Sequence, residues 1–202
     1  MMYLLTHSLL SSWLYAMKDS PYEDATTERD SYQEFLQTLC REQGEQTEAM
    51  RNGIEFEDLV TDIVNGKADT EHKWYEAASK VASIVKGGQL QYTAKKKVTV
   101  SGVEILIYGR LDVLKAGEVI DIKFSKGYER GKYLSSTQHP TYLELIQEAE
   151  RFTYLVSNGT EVWTETYRRD ETPDITVIIA SFLEYLKAND LWELYEKHWT
   201  AL

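Results

Sequence analysis

One cysteine, Cys40, is present among the 202 residues. A single thiol excludes a disulfide framework, a cysteine-ligated zinc site and an iron–sulfur cluster within one chain. Met1 to Met17 is mildly apolar, but Thr6, His7, Ser8, Ser11 and Ser12 interrupt it and no basic region precedes it, which argues against a signal peptide. A reducing cytoplasm is therefore the expected compartment. No stretch approaches the ~20 apolar residues that a membrane span needs, so no membrane is expected as a partner. The chain also lacks HExxH, G-x-S-x-G and a phosphate-binding glycine loop. Its histidines, His7, His72, His139 and His198, do not cluster at metal-ligand spacing.

What is present fits one domain spanning 1–202, long enough to bury a sizeable core. Hydrophobic residues at 43% and charged residues at 27% are ordinary for a globular protein. The net charge of −11 argues at first against nucleic acid. Its distribution does not. Between Lys86 and Ser135 ten Lys/Arg stand against five Asp/Glu, so this segment is +5 inside a remainder of −16. A basic segment in an acidic chain is either an electrostatic footprint for a polyanion or an ordinary solvated sheet surface.

Periodicity gives a coarse map. Residues 5–17 predict a helix with Leu9, Leu10, Trp13 and Leu14 on one stripe, 18–30 a polar loop, and 31–43 a second helix. Residues 44–53 are polar and end at Asn52-Gly53. Phe56, Leu59, Val60, Ile63 and Val64 recur at i, i+3, i+4, i+7 and i+8, an amphipathic helix stopped by Asn65-Gly66. A further helix over 71–85 closes at Gly87-Gly88. Strands follow over 89–100, 103–114 and 118–124, then a polar loop over 127–136. A long helix is expected from Gln138 to Val156, with Pro140 in its first turn. A fourth strand over 161–168 and helices at about 173–188 and 190–199 complete the chain. The fold class is therefore α/β, α+β-like: a mixed sheet of about four strands flanked by helices, with its core over about 53–168.

The informative stretch is GRLDVLKAGEVIDIKFSK, residues 109–126. With Ala116-Gly117 as a two-residue turn, Lys115 faces Glu118 and Leu114 faces Val119. Continued regularly, that register sets Asp112 opposite Asp121 and Arg110 opposite Lys123. It leaves Val103, Ile105, Ile107, Leu111, Val113, Ile120, Ile122 and Phe124 on a core face. Two carboxylates directly opposed destabilise a hairpin unless something compensates. One compensation is a divalent cation, and all-oxygen ligation suits Mg²⁺ or Mn²⁺. The other is charge balance by Arg110 and Lys123 on a solvated face.

Asp112 followed nine residues later by Asp121-Ile122-Lys123 resembles the D…(D/E)-x-K signature of the PD-(D/E)XK nuclease superfamily. Three more segments agree in order. Gly53-Ile54-Glu55-Phe56-Glu57 is similar to the family's G-x-x-x-(H/E) motif. Gln138-His139-Pro140-Thr141-Tyr142 resembles the Q-x-x-x-Y motif of the RecB-like branch. His7 to Trp13, HSLLSSW, is similar to that branch's S-x-L segment. The resemblance implies a restriction-endonuclease-like core, in the order helix-strand-strand-strand-helix-strand. It also implies a metal-dependent deoxyribonuclease of the phage exonuclease type, acting in recombination or DNA processing. By resemblance, Asp112, Asp121 and Glu57 would ligate Mg²⁺ or Mn²⁺ with help from the Ile122 backbone carbonyl, and Lys123 would assist the nucleophilic water. Glu55 competes with Glu57 for the first acidic place. Gln138 and Tyr142 would hold the DNA backbone or the edge of the site, and Arg110, Lys126, Arg130 and Lys132 would contact phosphates. This chain has Glu57 where many members have His, and it lacks the cysteines of the cluster-binding members, so no iron–sulfur cluster is implied. DNA is the expected partner. A homo-oligomer and a single-strand annealing or recombinase partner stay open, as does a non-catalytic nuclease-fold DNA-binding or assembly subunit.

Overall fold

Six strands form one mixed sheet in the computed structural model, which describes residues 1–18, 31–42, 44–67 and 69–201. In chain order the elements are β1 (Met2–Leu5), α1 (His7–Ala16), α2 (Ser31–Leu39), α3 (Glu48–Val64), α4 (Tyr75–Val85), β2 (Gln89–Val100), β3 (Val103–Lys115), β4 (Glu118–Phe124), α5 (Gln138–Leu145), β5 (Arg151–Ser157), β6 (Val162–Arg168), α6 (Ile175–Ala188) and α7 (Trp192–Trp199). The loop expected over 18–30 lies almost wholly outside the described residues. No helix among those described is long and apolar enough to cross a membrane.

The helix starts follow capping chemistry. Thr6 and Thr47 accept from the backbone N–H groups of Leu9 and Met50 and so open α1 and α3, and Asp174 does the same for α6 through Thr176. α3 begins at Glu48, inside the stretch read as polar loop, because Thr47 supplies a cap there. The two hairpin turns fall where the sequence placed them. Ser101-Gly102 and Ala116-Gly117 all have positive φ, at 51°, 77°, 48° and 75°, the backbone a tight two-residue hairpin turn requires.

The chain following α5 departs from expectation. The predicted helix over 138–156 stops at Leu145, and Arg151–Ser157 is instead a strand between β4 and β6. It runs parallel to β4, with Asp121 beside Tyr154 and Ile122 beside Leu155. Six of its seven residues are buried, so both faces are covered and the alternation of a half-exposed strand is lost. The sheet thus has six strands rather than about four: β5 takes the place of the second half of the expected helix, and β1 is only four residues long.

Helices cover both sheet faces. One core packs Phe56, Leu59, Val60, Ala78, Val81 and Val85 of α3 and α4 against Val113, Ile120, Ile122 and Leu155. The larger core packs α1, α2, α5, α6 and α7 against Ile105, Ile107, Leu111, Val119, Phe152, Tyr154 and Val156. Leu111 and Val113, two residues apart, belong to different cores, so the single core face expected for β3 is broken between them. The break falls at Asp112, across from Gln91, whose φ is 52°.

One edge of β3 is paired along its length by β2. The other is shared. β4 pairs with it over Val113–Lys115, and β1 runs parallel to it over residues 104–107. Between these two partners, residues 108–112 of β3 have no strand neighbour on this edge, and the candidate site lies at this gap.

Candidate active site

The Ala116-Gly117 register holds for three pairs, Lys115–Glu118, Leu114–Val119 and Val113–Ile120, and then the ladder stops. Asp112 and Asp121 are therefore not ladder partners, and neither are Arg110 and Lys123, contrary to the regular continuation. The strands splay, and side chains take over the backbone groups that the ladder leaves behind. Asp112 Oδ2 accepts from the Ile122 N–H at 2.8 Å, and the Tyr142 hydroxyl donates to the Arg110 carbonyl at 3.0 Å. A buried backbone group without a partner costs about 1–3 kcal/mol, so these two side chains stabilise the open fork.

Asp121 lies at the back of the fork, 3% exposed. Its Oδ1 accepts from Gln138 Nε2 at 2.5 Å, and its Oδ2 is 2.8 Å from Lys123 Nζ. The Lys123 ammonium is the one partner of that second oxygen among the described residues. Glu57 approaches from α3, half-buried, and accepts a short hydrogen bond from Gln91 Nε2. Glu55 points elsewhere: it is exposed, accepts from His72 Nε2 at 2.9 Å and lies 3.5 Å from Lys73 Nζ. The hydrogen bond from His72 holds the Glu55 pKa below its usual value. Glu57 is thus the acid on the site side of α3.

The electrostatics are those of crowded carboxylates. Burial first, then the charges of Asp121 and Glu57, push the Asp112 carboxyl well above its usual range, against the Ile122 N–H and Lys123. Burial also raises Glu57, with the Gln91 hydrogen bond opposing and Asp121 adding to the rise. For Lys123 burial works downward, but Asp121 and Asp112 outweigh it and the ammonium is held above its ordinary pKa. Lys123 is therefore a cation at neutral pH.

The other expected residues are spread around this centre. Gln138 and Tyr142 are 6% and 4% exposed, so they form the floor of the site, one fixing Asp121 and the other β3. Gly109 makes the Tyr142 position available, because a Cβ there would collide with the ring. Arg110 is exposed, and its charge opposes the rise at Glu57. Lys126, Arg130 and Lys132 are exposed on the segment linking β4 to α5.

Two participants were missed. Gln91 looks like any strand glutamine until its positive φ is seen. His7 had been read only as part of the S-x-L segment. Its ring lies 5.3 Å from that of Tyr142, its Nδ1 is buried without a partner, and burial followed by the nearby Lys123 lowers its pKa to about 4.

Among the described residues no three His, Cys, Asp or Glu side chains form a ready-made metal cage. The donor set nonetheless suits a hard divalent cation. Asp121 Oδ2 is a buried carboxylate oxygen met only by the Lys123 ammonium, and the carboxyls of Asp112 and Glu57 are raised by burial and then by the charge of Asp121.

No protein-family model matches the chain, and no curated protein matches it. Among solved structures it is similar to one titled "Crystal structure of SSO0001", at 17% identity and a TM-score of 0.44, covering 78% of this chain and 86% of that one. A likeness of that degree decides nothing about activity.

Proposed function

We propose that this chain is a divalent-metal-dependent deoxyribonuclease with a restriction-endonuclease-like core, acting as an exonuclease on DNA ends. The observation that carries the reading is the fork between β3 and β4. There the sheet ladder is given up so that Asp112, Asp121 and Lys123 share one opening, with Glu57 facing it from α3.

Asp112 and Asp121 would hold Mg²⁺ or Mn²⁺, with Glu57 as a further ligand after release from Gln91. Such an ion, when bound, supplies Lewis acidity toward a phosphodiester and makes a bound water more acidic. Gln138 keeps the Asp121 carboxylate in one orientation by donating to Oδ1. Lys123 stays protonated, so its part is that of a donor. It can fix a water or a non-bridging phosphate oxygen and stabilise charge that builds up there, rather than act as the base. Tyr142 keeps the fork open through the Arg110 carbonyl. Arg110, Lys126 and Arg130, all exposed, are the cations available for strand phosphates.

The test is digestion of blunt linear, 5′-phosphorylated, circular and single-stranded DNA with Mg²⁺, Mn²⁺ or EDTA, by the wild type and Asp121→Ala. Linear DNA should be degraded only with a divalent ion, circular DNA should survive, and the folded variant should be inert. Digestion by Asp121→Ala at the wild-type rate would refute the assignment. DNA binding without digestion in either ion would favour the non-catalytic subunit instead.

A further inference from the structure

The carboxylate of Glu165 has no counter-ion among the described residues and is 7% exposed. It sits on β6, away from the fork. Its Oε2 accepts from the Tyr128 hydroxyl at 2.6 Å and the Gly131 N–H at 3.1 Å. Its Oε1 accepts from the Tyr133 N–H at 3.3 Å and, in a short bond, from the Tyr167 hydroxyl. Three of these four donors belong to the segment between β4 and α5. The same segment is stapled at its base, where Lys132 Nζ donates to Ser125 Oγ at 2.8 Å and to the Gly127 carbonyl at 3.2 Å. A buried carboxylate is costly unless its oxygens are met, and here they are met only in one conformation of the segment.

That conformation borders an open cleft of about 550 Å³, lined by residues 127–132. Tyr128, on its wall, is stacked on Trp163 with ring centroids 5.5 Å apart. Arg130 is exposed and makes no hydrogen bond or ion pair with any described residue. The segment leaves β4 directly after Lys123 and Phe124 and re-enters the fold at Gln138. Along it, Tyr133 stacks on Tyr154 with ring centroids 4.2 Å apart, and Tyr154 is the β5 register partner of Asp121. A cation without a partner, an aromatic platform and a cleft of ligand size, next to a phosphodiester site, are the parts a nucleotide requires.

We propose that residues 125–136 form a preformed subsite for one nucleotide of the DNA strand adjacent to the cleaved bond, with Arg130 on its phosphate, the Tyr128–Trp163 pair beneath its base, and Glu165 as the positioning residue that holds the segment in place. The inference rests on the DNA-cleaving reading above. It goes beyond it by fixing where the strand runs and by assigning a role to a carboxylate remote from the carboxylate pair.

The experiment compares wild type, Arg130→Ala and Glu165→Gln by steady-state digestion of a single-stranded oligonucleotide in Mg²⁺. Fluorescence is read in parallel, in Ca²⁺, on oligonucleotides carrying 2-aminopurine at successive positions from the end. In wild type, one position should be quenched by stacking. Arg130→Ala should raise KM about tenfold, the equivalent of one phosphate contact, with a smaller change in kcat. Glu165→Gln turns an NH₂ toward two of the four donors. It should raise KM similarly and abolish the position-specific quenching, which a general loss of stability would not single out. Arg130 supports no other group, so its variant stays informative if Glu165→Gln folds poorly. A wild-type KM in Arg130→Ala, or no quenched position in a wild type that digests DNA, overturns the subsite. A wild type that neither binds nor digests DNA refutes the parent reading, and the subsite falls with it.

Discussion

Replacing Asp112 by asparagine should make the protein more stable while abolishing its activity. Asp112 Oδ2 accepts from the Ile122 N–H at 2.8 Å, one residue beyond Asp121, and the Asp121 charge is the largest cause after burial of the raised Asp112 pKa. For a separation on the order of 5 Å and an effective dielectric of about 20, two like charges repel by about 3 kcal/mol. Glu57 adds to the repulsion and Lys123 offsets part of it, leaving about 2 kcal/mol to be released. In a domain of this size that corresponds to a melting temperature higher by about 4–8 °C. The asparagine oxygen still accepts from Ile122, so the fork keeps its shape. The pH dependence follows from the direction of the shift. The folded chain holds the Asp112 proton more tightly than the unfolded chain, whose carboxyl titrates near its ordinary value of 3.8. The stability this group contributes is full below that value and is lost as pH rises through the higher folded pKa. The advantage of Asp112→Asn should therefore be small in acid and widen toward neutral pH. A divalent cation should close the gap by stabilising wild type alone, by about 2.7 kcal/mol at a hundredfold excess over its Kd. Thermal melts of both proteins from pH 5 to 8, in EDTA and in Mg²⁺, read all of this. A variant less stable than wild type at neutral pH in EDTA, or an equal Mg²⁺ shift in both, would refute the reasoning.

Two further changes test the scaffold around the site. Gly109→Ala places a Cβ against the Tyr142 ring and 2.8 Å from Leu145 Cδ1, in a well-packed corner. It should cost about 1–3 kcal/mol in chemical denaturation. It should also lower activity, because Tyr142 is displaced from the Arg110 carbonyl. Arg169→Ala removes a guanidinium that donates to the carbonyls of Leu143, Ile146 and Ala149 at 2.7–2.8 Å, where the chain passes from α5 to β5. Its loss should cost about 3 kcal/mol, read as a lower denaturation midpoint with an unchanged m-value.

The parts of the molecule that could be read from sequence are those set by local chemistry. The hairpin turns were marked by Ser101-Gly102 and Ala116-Gly117, and the α3 stripe by Phe56, Leu59 and Val60. The helices over α6 and α7 were legible for the same reason, since turn residues and periodicity act within a few positions. β5 was not, although Phe152, Thr153, Tyr154, Leu155 and Val156 are strand-favouring residue types. Its burial on both faces removes the alternation that separates a strand from a helix. The Leu143 and Ile146 carbonyls at the end of α5 are taken by Arg169, a residue more than twenty positions downstream of Leu145. The site shows the same division. Three pairs of hairpin register followed from the Ala116-Gly117 turn. The departure at Asp112 comes from outside the hairpin: β1 occupies part of the edge of β3 from the far N-terminus, and Gln91 takes a backbone conformation no side-chain pattern announces. A two-strand argument therefore brings Asp112 and Asp121 to the same end of the hairpin but by a ladder pairing that is not formed. Asp112 and Asp121 meet across a fork whose lost ladder bonds are replaced by an Asp112 carboxylate and a Tyr142 hydroxyl. That replacement leaves room between the strands, which a closed ladder of facing aspartates would not.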